Sequence, residues 1–341
     1  MTASSKPRLK PISEQVIVIT GASSGIGLVT ARMAAAQGAR VVLVARSEDA
    51  LREAVRGIEA EGGTAAYRVA DVAHEEEVRA AAAFAIERFG RIDSWVNNAG
   101  TAIYAKLVKI PDADHRRLFD TNYFGAVHGC LAAIPHLREQ GGALITVASI
   151  ASDMPSPIMG AYAATKHALK AYVEALRMEL EEEGLPISVS LVKPSGIDTP
   201  IGQHATNLEG GEAQIPPPIY APELVADAIL HCATHVRRTI TVGGAGRAQA
   251  LFWAHFPRLF EKLGPVAARS FVDKDRTQPT PANLHEADTP ATGQERSGEH
   301  AAKPFSVYTA ASKHPRATAA VGLGGLALAI GVLFANGRKR D

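Results

Sequence analysis

The chain has 341 residues, with 36 lysines and arginines against 35 aspartates and glutamates, a formal net charge of +1. That balance gives no basis for a nucleic-acid or an acidic partner. Hydrophobic residues make up 46% of the chain, which suits an α/β core, and the length allows one large domain or two small ones. Cys130 and Cys232 lie far apart in helix-like segments, so neither a disulfide framework nor zinc spacing follows and a reducing compartment is the default. The N-terminal arm, residues 1–12, is polar and basic, without the apolar core of a cleaved signal.

The run Val16-Ile-Val-Ile-Thr20 reads as a buried strand. Gly21-Ala-Ser-Ser-Gly25-Ile-Gly27 follows and leads into a helix ended by Gly38. Strand, glycine turn and helix place backbone N–H groups and a helix N-terminus against a pyrophosphate. The spacing is Gly-x-x-x-Gly-x-Gly, and no Gly-Lys-Ser/Thr follows, which excludes a P-loop. Taken alone, the turn also fits an ordinary strand-to-helix connection. A second strand, Arg40 to Ala45, ends at Arg46-Ser47. In a dinucleotide fold this strand end meets the adenosine ribose, where an acid suits NAD and an arginine suits the 2′-phosphate of NADP. Ala45 offers no carboxylate and Arg46 offers a planar donor fork, so NADP(H) is the expected cofactor.

A helix from Glu48 to about Glu61 leads to a third strand, Ala65 to Val69, with Asp71 placed to accept from an adenine amino group. The helix Glu75 to Phe89 precedes a strand, Ser94 to Val96, that ends in Asn97-Asn98-Ala99-Gly100. The βα alternation predicts a doubly wound parallel sheet of the Rossmann type, about seven strands with helices on both faces.

Ala143 to Ala148 reads as a buried strand that delivers Ser149 at its C-terminal edge, where a hydroxyl can donate to a carbonyl or alkoxide oxygen. Tyr162 and Lys166 stand one helical turn apart and share a face. A free tyrosine, with a pKa near ~10, is a poor acid–base group, but a nearby ammonium favours the phenolate. The pair can thus supply a proton donor and acceptor, although a lone Tyr-x-x-x-Lys also occurs on ordinary amphipathic helices.

Together these residues resemble the short-chain dehydrogenase/reductase family, classical type. The matches are Thr20-Gly-Ala-Ser-Ser-Gly-Ile-Gly27, Asp71, Asn97-Asn-Ala-Gly100, Asn122, Ser149, Tyr162-x-x-x-Lys166 and Pro194-Ser-Gly-Ile-Asp-Thr199, in the family's order over residues 13–245. The chain departs from the usual Pro-Gly at Pro194-Ser195. The resemblance implies that Tyr162 is the acid in reduction and the base in oxidation, that Lys166 lowers its pKa and holds the nicotinamide ribose, and that Ser149 holds the substrate oxygen. It implies that Asn122 interrupts its helix and holds a water linking Lys166 to solvent. The cofactor site so implied comprises Thr20, Gly21, Ser23, Ser24, Gly25, Ile26, Gly27, Arg46, Ser47, Asp71, Val72, Asn98, Ala99, Gly100, Tyr162, Lys166, Pro194, Ser195, Ile197 and Thr199. A homo-oligomer, such as a dimer, is a further implication.

After a strand at Ile187 to Val192, the breaker-rich stretch Pro194 to Ala221 resembles the family's substrate-covering flap. Met154, Ile158 and Met159 would line an apolar pocket or simply pack in the core. A helix begins at Pro222, and Thr239 to Val242 reads as the last strand. His231 and His235, four apart, lack a third ligand, so no metal is predicted.

Residues 246–272 form an expected helical extension that caps the pocket, packs on the core or lies on a membrane surface. Residues 273–312 are polar with scattered prolines and read as a disordered linker. Residues 313–341 carry the uncharged stretch 317–335 between basic clusters. At ~1.5 Å per residue it approaches a bilayer core of ~30 Å. The expectation is a membrane anchor with the catalytic domain facing the cytoplasm. The reading that results is an NADP(H)-dependent oxidoreductase interconverting a carbonyl and an alcohol on a lipophilic small molecule. The rivals are a nucleotide-binding sensor without turnover and a membrane scaffold.

Overall fold

The computed structural model describes residues 7–298 and 301–314, together with Thr318. The first half alternates as expected: β1 (Val16–Thr20), α1 (Gly25–Ala36), β2 (Arg40–Ala45), α2 (Glu48–Ala60), β3 (Thr64–Val69), α3 (Glu75–Phe89) and β4 (Ser94–Asn97). Local chemistry sets several of these boundaries. The Ser47 hydroxyl caps α2 by accepting from Ala50 N at 3.4 Å. Three glutamates open α3 against the positive end of its dipole, and Gly90 closes it in a left-handed conformation at φ 78°.

The short β5 (Ile103–Tyr104) and α4 (Asp112–Phe119) precede a π-turn over Asp120–Phe124, which passes into α5 (Gly125–Gln140). Then come β6 (Gly142–Val147), α6 (Gly160–Glu182) and β7 (Ile187–Pro194). The expected flap holds the one-turn α7 (Ile201–His204), β8 (Thr206–Asn207) and β9 (Glu212–Ala213) before α8 (Pro222–Thr234) and β10 (Thr239–Val242). Seven strands pair in the order β10-β7-β6-β4-β1-β2-β3, and every pairing is parallel. The sheet is a Rossmann-type sheet with helices on both faces. Its central strands β1, β4 and β6 are buried throughout, which is why they read as unbroken apolar runs. The order reverses direction between β1 and β4, so the crevice beyond their C-terminal ends is the natural ligand site.

The extension forms two helices, α9 (Gly244–His255) and α10 (Pro257–Ala267). Pro257 has no N–H to continue α9 and takes the first position of α10.

Residues 273–312, read from composition as a disordered linker, are instead folded against the body. β11 (Val272–Asp273) pairs antiparallel with β9. Gly293 N donates to Ser23 O at 3.1 Å, and Gly25 N to Gln294 O at 2.9 Å. Lys303 exchanges backbone hydrogen bonds with Ile219 and Ala221, and α11 (Val307–Lys313) places Thr309 Oγ1 3.0 Å from Gly243 N. Low hydrophobicity misled because backbone hydrogen bonds hold this segment, aided by a few buried side chains such as Leu284 and Ala291. The apolar stretch 317–335 lies outside the described residues apart from Thr318. Among the described residues no helix is long and apolar enough to cross a membrane.

Candidate active site

The glycine turn is bolted to the end of β4. Thr20 Oγ1 accepts from the backbone N–H groups of Asn98 and Ala99 at 3.0 and 3.1 Å. Asn98 Nδ2 donates to the carbonyls of Thr20 and Gly21 at 3.0 and 3.2 Å. The packing leaves no room for side chains within the turn. A Cβ on Gly27 would sit 2.2 Å from Gly21 O, and one on Gly21, already at φ 65°, would sit 2.7 Å from Ala99 Cα. These constraints aim the N-terminus of α1 at the crevice, a cradle that fits a dinucleotide pyrophosphate and in which Gln294 O takes the Gly25 N–H.

A cavity of about 610 Å³ runs along the C-terminal edge of the sheet. Of the residues expected to hold cofactor, Gly21, Ser23, Ser24, Gly25, Ile26, Arg46, Asp71, Val72, Asn98, Ala99, Gly100, Pro194, Ser195, Ile197 and Thr199 line it, as do Ser149, Tyr162 and Lys166. Thr20, Gly27, Ser47 and Asn122 do not reach its wall. Thr20 and Gly27 shape the turn, Ser47 caps α2, and Asn122 acts from the π-turn.

Asn122 is buried. Its Oδ1 accepts from Thr101 N and its Nδ2 donates to Thr101 O, both at 2.9 Å, and Nδ2 also reaches Thr165 Oγ1 at 3.1 Å. The π-turn thereby joins the chain after Gly100 to the helix that carries Tyr162 and Lys166. At Asn122 the α-helical pattern of α4 gives way to the π-turn that leads into α5.

Ser149 emerges at the end of β6, where its hydroxyl accepts from Ala151 N at 3.1 Å and faces Tyr162. Burial pushes the Tyr162 phenol above its usual range, and the Ser149 bond pulls against that shift. Lys166 sits on the same face, with Nζ 5.6 Å from the centre of the Tyr162 ring and 3.2 Å from Val147 O. Burial lowers the Lys166 ammonium to about 8. The sequence suggests that the ammonium would dominate the phenol, but in this state desolvation is the larger influence on both groups.

Arg46 is placed as expected at the end of β2, but its guanidinium points into the folded C-terminal segment. It donates to the carbonyls of Asn283, His285 and Glu286, the last at 2.7 Å. Asp71 pairs with Arg117 and accepts from Ala73 N at 3.0 Å. Burial alone would raise its pKa, but the Arg117 contact and the Ala73 N–H outweigh it and hold the carboxyl below its ordinary value. Ser195, the departure from Pro-Gly, donates to Val242 O at 2.8 Å and so ties this loop to the end of β10.

The wall beyond Ser149, Tyr162 and Lys166 is apolar. Met154 and Met159 line it as expected, joined by Phe252, Phe260 and Leu263 from the extension and by Phe271. Ile158 does not line the cavity but packs on the cluster around Tyr104, with a left-handed backbone, φ 53°, which is strained for a β-branched residue. Sequence reasoning missed Tyr104, which is almost fully buried, lines the cavity and has a phenol raised by burial and by its proximity to Tyr162. It also missed Asp153, which bridges Lys170 at 2.9 Å and Lys193 at 2.5 Å and so fixes the loop between Ser149 and Tyr162 to α6 and β7. The single available signal for Asp153 was its place in that loop. His231 and His235 stack at 4.2 Å, and no group of three metal-ligating side chains occurs among the described residues.

The comparisons agree with this geometry. The family model described as short chain dehydrogenase matches residues 15–209. An uncharacterized oxidoreductase of Bacillus subtilis, YxnA, is 46% identical over 261 residues, covering 76% of this chain and 73% of its own. Among solved structures, an alcohol dehydrogenase from the archaeon Thermococcus sibiricus in complex with 5-hydroxy-NADP superposes with a TM-score of 0.59 at 27% identity. That match covers 67% of this chain and 95% of the archaeal one. A short chain dehydrogenase/reductase from Burkholderia phymatum in complex with NAD gives a TM-score of 0.66 at 25% identity, covering 81% of this chain and all of the other. By fold, by site and by sequence, this chain belongs to the short-chain dehydrogenase family.

Proposed function

We propose that the protein is an NADP(H)-dependent oxidoreductase that interconverts a carbonyl and an alcohol on a lipophilic small molecule. The observation that carries this reading is the convergence of Ser149, Tyr162 and Lys166 on one wall of the cavity that also receives the glycine turn. The nicotinamide, when bound, supplies or accepts the hydride. The chain does the rest. Ser149 holds the substrate oxygen by a hydrogen bond. In the reductive direction Tyr162 Oη gives its proton to that oxygen as the carbonyl carbon gains hydride, and in oxidation it takes the proton back. A phenol raised by burial keeps its proton at neutral pH and so stands ready as the acid. Lys166 brings a positive charge that stabilises the phenolate left behind. Asn122 keeps the Lys166 helix in register with Gly100 through Thr101.

NADP(H) is favoured over NAD(H) because Arg46 stands at the end of β2 with no acid beside it at Ala45. A lipophilic substrate is favoured by the methionine and phenylalanine wall and by the roof that α9 and α10 build over it. Anchoring through 317–335 rests on the apolar sequence alone, and carbonate extraction of the full chain tests it. The function is tested by screening NADPH oxidation against lipophilic ketones, aldehydes and quinones. Turnover on at least one class supports the reading, and cofactor binding without turnover on the whole panel favours the sensor.

A further inference from the structure

The segment 281–298 lies across the adenosine end of the cleft, where it does more than cover it. Its first clamp is on Arg46. Three strap carbonyls, of Asn283, His285 and Glu286, take donors of the guanidinium that the proposed function assigns to the 2′-phosphate. The same stretch brings the carboxylates of Glu286 and Asp288 into electrostatic reach of Arg46. A carbonyl accepts a hydrogen bond without charge, whereas a 2′-phosphate carries close to two negative charges. The phosphate would face those carboxylates and compete for the same fork. A ribose that bears a free 2′-hydroxyl has no such conflict, because a hydroxyl can donate to the carbonyls that are already there.

The strap is seated by chemistry distinct from the Arg46 contact. Leu284 is 1% exposed and packs in a small cluster with Ile103, Leu118 and Ala161. Asn283 N donates to His204 O at 2.8 Å, and its side chain accepts from Thr101 Oγ1. Arg117 Nε donates to Leu284 O at 3.0 Å. Farther along, Gln294 O accepts from Gly25 N, and Ser297 holds Asp198. The strap therefore has its own anchorage and can be loosened without touching the arginine it occupies.

We infer that residues 283–288 are a cofactor-selectivity element, which competes with the 2′-phosphate for Arg46 and must lift for NADP(H), whereas the strap's contact at the glycine turn, Gly25 N to Gln294 O, is displaced by either cofactor. The inference rests on the reading of Arg46 as the phosphate ligand. It follows that the part of the strap seated on Arg46 weakens apparent NADPH affinity by the fraction of time it is open, a cost that NADH does not share.

Kd values for NADPH and NADH on the full chain test it with two variants. Leu284→Ala loosens the seat, and Glu286→Gln with Asp288→Asn keeps the seat while removing the charge. The expected result for Leu284→Ala is an NADPH Kd lowered about tenfold, as for a strap open about a tenth of the time, with NADH changed less than twofold. The charge-neutral pair is expected to tighten NADPH by a smaller factor. Equal changes for both cofactors, or weaker NADPH binding, would overturn the inference. Hydrogen exchange of the wild-type chain gives a readout independent of folding. Adenosine 2′,5′-bisphosphate should speed exchange across 283–288, including the Asn283 amide, and adenosine 5′-monophosphate should not. The same protection with both probes contradicts a competing strap. Arg46→Ala separates the two layers. Equal losses for NADPH and NADH defeat the phosphate reading and the inference with it. A selective NADPH loss alongside strap variants of unchanged selectivity defeats the strap inference alone.

Discussion

The catalytic cleft and the strap that crosses it are built on opposite principles. The cleft is assembled from side chains and turns whose chemistry is written locally: a glycine turn with no room for Cβ atoms, a serine at a strand end, a tyrosine and a lysine one helical turn apart. The strap is held largely through main-chain carbonyls that reach residues more than 200 positions away, such as Arg46 and Gly25. A motif can reveal the first kind of structure, because its residue types are dictated by its task. The second kind leaves little trace, because any residue supplies a carbonyl.

The largest expected effect lies wholly on the cleft side. Tyr162→Phe should lower turnover by ~10²–10⁴-fold, the usual contribution of a positioned general acid, with NADPH Kd within twofold of wild type. Wild-type-like rates in this variant would remove the proposed acid. Next comes the point where the two regions meet. Arg46→Ala should weaken NADPH by ~10–10²-fold, the range for hydrogen bonds to charged groups, and change NADH far less. Isothermal titration with both cofactors would measure this directly.

A smaller effect is expected from pH. Burial lowers Lys166 to about 8 in the free protein, and in the proposed function its charged form is the one that attracts the cofactor phosphates and hydrogen-bonds the ribose. Affinity should therefore be full below that value and fall as pH rises through it. In Lys166→Met the NADPH affinity should be weaker and flat over the same window; a wild-type curve that is itself flat to pH 10 would show that the lysine titrates elsewhere. The smallest effect belongs to the strap's outer rim. Arg296→Ala removes an exposed pair with Glu223 and a looser contact, at 3.8 Å, with the buried Asp198, and should cost about 1 kcal/mol in thermal or urea unfolding. A larger loss would mean that the strap is a structural member of the fold.

The contrast also explains what could be read in advance. All seven strands of the main sheet were legible: the central ones because strands buried on both faces are short apolar runs bounded by turn residues, and the partly exposed edge strand β3 through its place in the βα alternation. The glycine turn, Ser149, Tyr162 and Lys166 were legible because the chemistry fixes both their identities and their spacing. Arg46 was placed correctly at the end of β2, but nothing in its neighbourhood announced the carbonyls of Asn283, His285 and Glu286 as its partners. Tyr104 and Asp153 were missed for a related reason. Each acts through contacts made in the folded chain, and neither stands in a pattern. The extension was expected to be helical, and it is, as α9 and α10 divided at Pro257.

The central claim is that this cleft moves hydride between cofactor and carbonyl with Tyr162 as the proton source. The most direct measurement follows deuterium from C4-deuterated NADPH into the product of a ketone or aldehyde identified in the screen, with wild type and Tyr162→Phe side by side. The account predicts deuterium on the carbinol carbon with wild type and a drop in its rate of appearance of at least about a hundredfold with the variant. NADPH that binds tightly but transfers no label to any carbonyl of the panel would contradict it.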